Sequence, residues 1–184
     1  MKKSLAVAAV FVLVASLVFA LEVGGVKLPD TVSVDGKTLK LNGAGIRKKA
    51  IFKVYVAALY VETPSKDAAN LVSSSGIKSM RLHMLRSVEG PKISGAIIEG
   101  FENNSKDALP QLKPRLDQLA KMIPDVKEGD EIALTWVPDK GTQVAVRGTT
   151  AGTIEGRDFA DALFSVWLGP NPVQEDLKIA LLGS

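Results

Sequence analysis

Between Leu41 and Glu62 the chain reads LNGAGIRKKAIFKVYVAALYVE. From Ala50 to Val61 only Lys53 is charged. Both parities of that run are apolar: Phe52, Val54, Val56, Ala58 and Tyr60 on one side, Ile51, Tyr55, Ala57, Leu59 and Val61 on the other. Period-two alternation with no polar side predicts a central strand that carries packing on both faces of its sheet. Just before it, Gly43-Ala44-Gly45 predicts a tight turn that delivers Arg47, Lys48 and Lys49 to the strand's edge. An arginine held there is a candidate ligand-binding cation. The local pattern also allows Arg47 to be a solvated turn residue, or the partner of Glu62 or Asp35.

Residues 1–20 read as a leader and not as part of the fold. Lys2 and Lys3 precede an apolar run from Leu5 to Val18, and Val18-Phe19-Ala20 suits a cleavage site. The competing reading is an uncleaved anchor, since the run nears a bilayer-spanning length. No later segment is long and apolar enough to span, so a cleaved chain has no membrane span. The sequence has no cysteine, which excludes disulfides, thiolate metal sites and a lipid-attachment cysteine behind the leader. The expected location is the bacterial periplasm, and the expected domain is residues 21–184. Removing the leader takes two of the 23 basic residues and none of the 20 acidic ones, leaving a surplus of one. Nucleic-acid binding needs a clustered basic excess that this balance does not supply.

Val32 to Leu41 alternates around Asp35-Gly36, a hairpin signal. Thr63-Pro64-Ser65 breaks the long strand, and Ser65 is placed to cap a short helix over Lys66–Val72. Ile77 to Val88 predicts a strand with Met80, Leu82 and Met84 inward, Arg81 and His83 outward. A helix beginning near Gly90-Pro91 carries Ile93, Ile97 and Phe101 on one stripe. Gly95 and Gly100 weaken it and permit close approach to a neighbour. A second helix carries Leu109, Leu112, Leu116, Leu119 and Ile123, with an irregular start imposed by Pro110 and Pro114. Glu131–Val137 and Gln143–Arg147 form a hairpin around Pro138–Gly141, and Thr149–Ile154 adds a strand. Helices over Phe159–Leu168 and Glu175–Leu182 close the chain. Antiparallel hairpins with helices between and after them predict an α+β fold, a sheet with a helical layer on one face.

Two passages resemble the chalcone isomerase family. One is Gly43-Ala44-Gly45-Ile46-Arg47 with the Phe52–Glu62 strand. The other runs from Gly152-Thr153-Ile154-Glu155-Gly156 through Phe159-Ala160 and Trp167-Leu168-Gly169-Pro170-Asn171-Pro172-Val173 to Asp176-Leu177-Lys178. The second is similar to the C-terminal helices of secreted bacterial members. The resemblance implies an open-faced β-sandwich with a ligand cleft between sheet and helices. It places Arg47 where the plant enzymes polarise their substrate and Tyr55 at their cleft threonine. Their catalytic tyrosine falls on Ile98, their helix asparagine near Asn104 or Ser105, and their C-terminal threonine on Val166, beside Trp167.

Cyclising a chalcone means holding a phenolate near an alkene and stabilising the enolate, work done by a cation together with ordered hydroxyls and water. With Ile98 and Val166 in two of those places, that chemistry loses its donors, although Tyr55 offers a substitute hydroxyl. Non-catalytic members of the family hold fatty acids with the arginine on the carboxylate, and Ile98, Phe101, Val166 and Trp167 suit an apolar tail. The expected partner is therefore a small apolar carboxylate bound by Arg47, Tyr55, Ile98, Phe101, Val166 and Trp167, without cofactor. An enone isomerase using Arg47 and Tyr55 is the alternative, and a ligand-free envelope module with a self-filled cleft is the third reading. By pattern alone, Tyr55, Tyr60, Trp136 and Trp167 pack the sheet and core, and His83 lies on the surface outside any site. No HxH, HExxH or acidic cluster suggests a metal, and a lone histidine without a nucleophile elbow gives a triad no support.

Overall fold

The computed structural model describes residues 20–184. The expected leader lies outside them except for Ala20. Strands β1 (Ala20–Val23) and β2 (Val26–Pro29) make a separate hairpin. The main sheet is a seven-stranded antiparallel meander in chain order. Its strands are β3 (Thr31–Val34), β4 (Lys37–Lys49), β5 (Phe52–Val61), β6 (Lys78–Met84), β7 (Glu131–Val137), β8 (Gly141–Val146) and β9 (Thr149–Ile154). Between β5 and β6 lies α1 (Ala68–Ser73). Helices α2 (Gly90–Asn104) and α3 (Leu109–Met122) join β6 to β7, and α4 (Arg157–Leu168) and α5 (Glu175–Leu181) follow β9. The fold is α+β with its helices on one face of the sheet, as expected.

Both faces of β5 are covered, by different partners. Ala57, Leu59 and Val61 join Met80, Leu82, Leu134 and the helices in the larger core. Val56, Ala58 and Tyr60 pack with Leu28 and Leu39 in a second core under the β1–β2 hairpin. Tyr60 is fully buried there, and its hydroxyl donates to the Pro29 carbonyl at 3.0 Å. The alternation is interrupted at one point. Arg47 pairs with Tyr55 but Lys48 pairs with Lys53, so Val54 is the extra residue of a bulge. Val54 thereby leaves its predicted parity and joins Tyr55 on the helix side.

The glycine turn predicted at Gly43-Ala44-Gly45 is instead the middle of β4. These glycines serve approach and not reversal. A Cβ at Gly43 would lie 2.2 Å from the Ala180 carbonyl oxygen, and one at Gly45 would lie 2.8 Å from the Ala180 Cβ. Helix α5 can lie on β4 only because those side chains are missing. The chain reverses later, at Ala50-Ile51. Two smaller boundaries also move. Asp67, and not Ser65, caps α1, its carboxylate accepting from the Asn70 N–H at 3.1 Å, while the Ser65 hydroxyl accepts from the Asp67 N–H. Strand β6 stops at Met84, leaving Val88 in a lone bridge to Val126.

On α2, Ile93, Ile97 and Phe101 are buried as the stripe predicts. Trp136 and Trp167 are core. His83 is half-buried, not on the open surface. Glu131 lies 3.3 Å from its Nε2, and burial pushes its pKa below the usual histidine value.

Candidate functional site

A cleft of about 990 Å³ opens between the outer ends of β4 and β5 and the N-terminal half of α2. That is at the upper end of small-molecule sites, which run roughly 300–1,000 Å³. Its buried walls are hydrocarbon: Val54 and Leu82 from the sheet, Ile93, Ala96 and Ile97 from α2, Val166 and Trp167 from α4. Its exposed rim carries both charges, Lys49, Arg86, Lys92 and Lys127 with Glu89, Glu99 and Asp125, beside Phe52.

At the sheet end sit the polar groups. Arg47 and Tyr55 are cross-strand neighbours flanking the bulge. Trp167 donates its indole N–H to the Tyr55 hydroxyl at 3.1 Å. That hydroxyl therefore keeps its own proton free for an acceptor in the cleft. Burial raises the Tyr55 pKa above the ordinary phenol value, against the opposing pull of the Trp167 hydrogen bond and the nearby Arg47 guanidinium. Tyr55 is thus a neutral donor at physiological pH.

Arg47 is half-buried and braced from one side. Its Nη1 donates to the Lys48 carbonyl and, at 3.2 Å, to the Gln174 side-chain oxygen. The same oxygen accepts from the Lys48 N–H at 2.7 Å, and the Gln174 amide donates to the Ile46 carbonyl at 3.0 Å. Gln174, at the N-cap of α5, thus clamps the backbone on both sides of Arg47 and fixes one corner of the guanidinium. The rest of the fork borders the cleft beside Tyr55. Neither acidic partner considered for Arg47 is engaged with it: Glu62 pairs with Lys37 and Asp35 with Lys140.

The structure brings Arg47, Tyr55, Val166 and Trp167 to one cleft. Ile98 is not among its lining residues; Ile97, one position earlier, is. Phe101 is fully buried at the other end of α2, its ring 5.4 Å from that of Phe159. Asn104 is structural, donating to the Gly100 and Asn171 carbonyls at 2.9 and 2.8 Å and so tying α2 to the loop after α4. The sequence reading missed Gln174, Val54 and the charged rim. The bulge and the α5 contact are set by tertiary packing, and no local pattern announces them. Phe101, Val166 and Trp167 are all nearly fully buried, as a self-filled cleft requires, yet open space remains beside the latter two.

An antiparallel sheet backed by helices, with a cleft between them that holds a cation and a phenol at one end, is the architecture of an open-faced β-sandwich. The profile of the family described as chalcone isomerase-like matches residues 20–183, and the chain belongs to that family. Among solved structures it is similar to the Arabidopsis thaliana fatty-acid binding protein AtFAP1. The TM-score is 0.68 at 13% identity, over 87% of this chain and 96% of that one. A search of curated proteins finds no match.

Proposed function

We propose that this chain is a periplasmic binding protein for fatty-acid-like carboxylates and performs no chemistry on them. One observation carries the reading: Arg47 and the Tyr55 hydroxyl stand together at one end of a cleft whose buried walls are hydrocarbon and whose carboxylates, Glu89, Glu99 and Asp125, belong to exposed residues. A guanidinium beside a neutral phenol offers a carboxylate charge-assisted donors in a low-dielectric setting. The hydrocarbon wall selects for chain length. Association costs at least about 4 kcal/mol, and roughly ten buried methylenes return about 8 kcal/mol. Long chains are therefore held and short acids are not. The fatty-acid binding protein of similar fold lends the reading further support. The location rests on the leader alone.

The test is direct. Protein purified without added lipid is extracted and the extract read by mass spectrometry, then the delipidated chain is titrated with long-chain fatty acids. Bound acyl chains and micromolar or tighter affinity, weakened in Arg47→Ala, are expected. Lipid-free extracts together with unchanged melting on adding fatty acids would remove the proposal. Tyr55 also supports a second reading, an enone isomerase, because one hydroxyl survives beside the cation. Chalcone conversion well above the uncatalysed rate, abolished by Arg47→Ala, would favour it instead.

A further inference from the structure

The tip of the β4–β5 hairpin is built against the usual logic of a soluble surface. Ile51 is 89% exposed and its neighbour Phe52 52% exposed. Neither helps to close a core, since the turn projects beyond the sheet's packed region. Cations surround the pair: Arg47, Lys48 and Lys49 before it, Lys53 after it, and Arg86, two residues beyond β6, whose guanidinium lies 4.5 Å from the centre of the Phe52 ring. The stretch 47–53 contains no carboxylate. Lys48, Lys49, Lys53 and Arg86 form no ion pair among the described residues. For a chain whose 23 basic and 20 acidic residues nearly balance, this is a marked local excess.

Two adjoining apolar side chains are too small a patch for a stable protein interface, which needs about 1,000 Å². They are enough for a bilayer interface, where shallow insertion of a few apolar groups and attraction of cations to anionic headgroups act together. Lysine stems can lie along the apolar region while their ammonium groups reach phosphates. We propose that the β4–β5 tip docks on anionic phospholipid membranes, with Ile51 and Phe52 entering the headgroup–acyl boundary and Lys48, Lys49 and Lys53 on the lipid phosphates. Lys49, Phe52 and Arg86 also lie on the cleft rim, so docking turns that part of the rim toward the bilayer. The docking needs only the tip and does not rest on what the cleft holds.

The test uses residues 20–184, which contain the whole described fold and both cores, so that the apolar leader cannot itself drive binding. Sedimentation with vesicles of phosphatidylcholine containing phosphatidylglycerol is compared with pure phosphatidylcholine. Binding is expected to the anionic vesicles and to fall with salt. Ile51→Ser and Phe52→Ser each lower the partition coefficient roughly tenfold, and Lys49→Gln or Lys53→Gln about fivefold each. All four positions are exposed, and melting curves confirm that the variants fold. In Ile51→Trp, the new indole blue-shifts on anionic vesicles, against a background of Trp136 and Trp167 that are already buried. Wild-type protein left in the supernatant, or a Phe52→Ser variant that sediments as well as wild type, overturns the proposal. So does a tip-dependent dimer in the absence of lipid. Vesicle binding by a chain that ignores fatty acids would leave docking intact and remove the ligand reading; fatty-acid binding without vesicle binding does the reverse.

Discussion

The two halves of α2 each carry a glycine, and the two stand in opposite surroundings. At Gly100 a Cβ would lie 2.6 Å from a methyl of Val166, so the missing side chain lets α2 and α4 meet backbone to side chain. At the next residue Phe101 packs on Phe159 to complete the seam, and one turn on Asn104 ties off its end. At Gly95 a Cβ would meet nothing within 4 Å, and the residue lines the cleft. One glycine closes the helical layer and the other leaves it ajar. The comparison teaches that the cleft is the product of a local mismatch: the sealed end fixes where α2 sits, and the open end is where the sheet's bulged edge and that fixed helix do not touch.

The largest expected effect attacks the sealed end. Gly100→Val forces a branched side chain into Val166 and is expected to cost about 3 kcal/mol in urea unfolding, the upper range for overpacking. A variant as stable as wild type would show that α2 and α4 can slide apart, and the contrast between the two ends would lose its meaning. Next comes the polar end of the open half. Arg47→Ala is expected to weaken long-chain carboxylate binding ten- to a hundredfold in calorimetry, the range for removing a charged hydrogen-bond donor, while leaving melting nearly unchanged. Gly95→Ala sharpens the contrast with the opposite sign. With room for its methyl group, it should stabilise the fold by about 0.5–1 kcal/mol through helix propensity and leave binding intact. Loss of stability there would mean the space is occupied.

The smallest effect is a pH dependence. The folded state holds the Tyr55 proton more tightly than the unfolded chain. Between the ordinary phenol pKa and the raised one, the folded state is therefore the more protonated, and stability falls as pH rises through that window. Tyr55→Phe should flatten this alkaline loss relative to wild type. Tyr60, pushed up to about 12, contributes the same slope to both proteins and drops out of the difference.

The reach of the sequence can be judged at particular residues. Two-sided burial of β5 was legible because every position from Val56 to Val61 is apolar, and burial on both faces leaves no other pattern. The stripe on α2 was legible for the same periodic reason. Gly43 and Gly45 misled, because a glycine that admits a helix and a glycine that turns a chain look alike until the helix is placed. The site was legible in its side chains and not in its geometry. Arg47, Tyr55, Val166 and Trp167 could be named from the family pattern, but a one-residue bulge at Val54 decides which of their neighbours share the cleft. The family pattern pointed to Ile98, and Ile97, one position earlier, lines the wall. Since adjacent helix positions diverge by about 100° around the axis, so small an error changes the face.

The Gln174 clamp makes the cleft a late event in the life of the chain. The bracing oxygen and the arginine it steadies are separated by 127 positions in sequence. A polypeptide emerging amino end first can complete most of the sheet and still present a loose, unanchored guanidinium. Only when the last segment settles onto β4 does that corner of the cleft acquire its shape, so a partly emerged chain lacks the finished cleft until its own folding is complete.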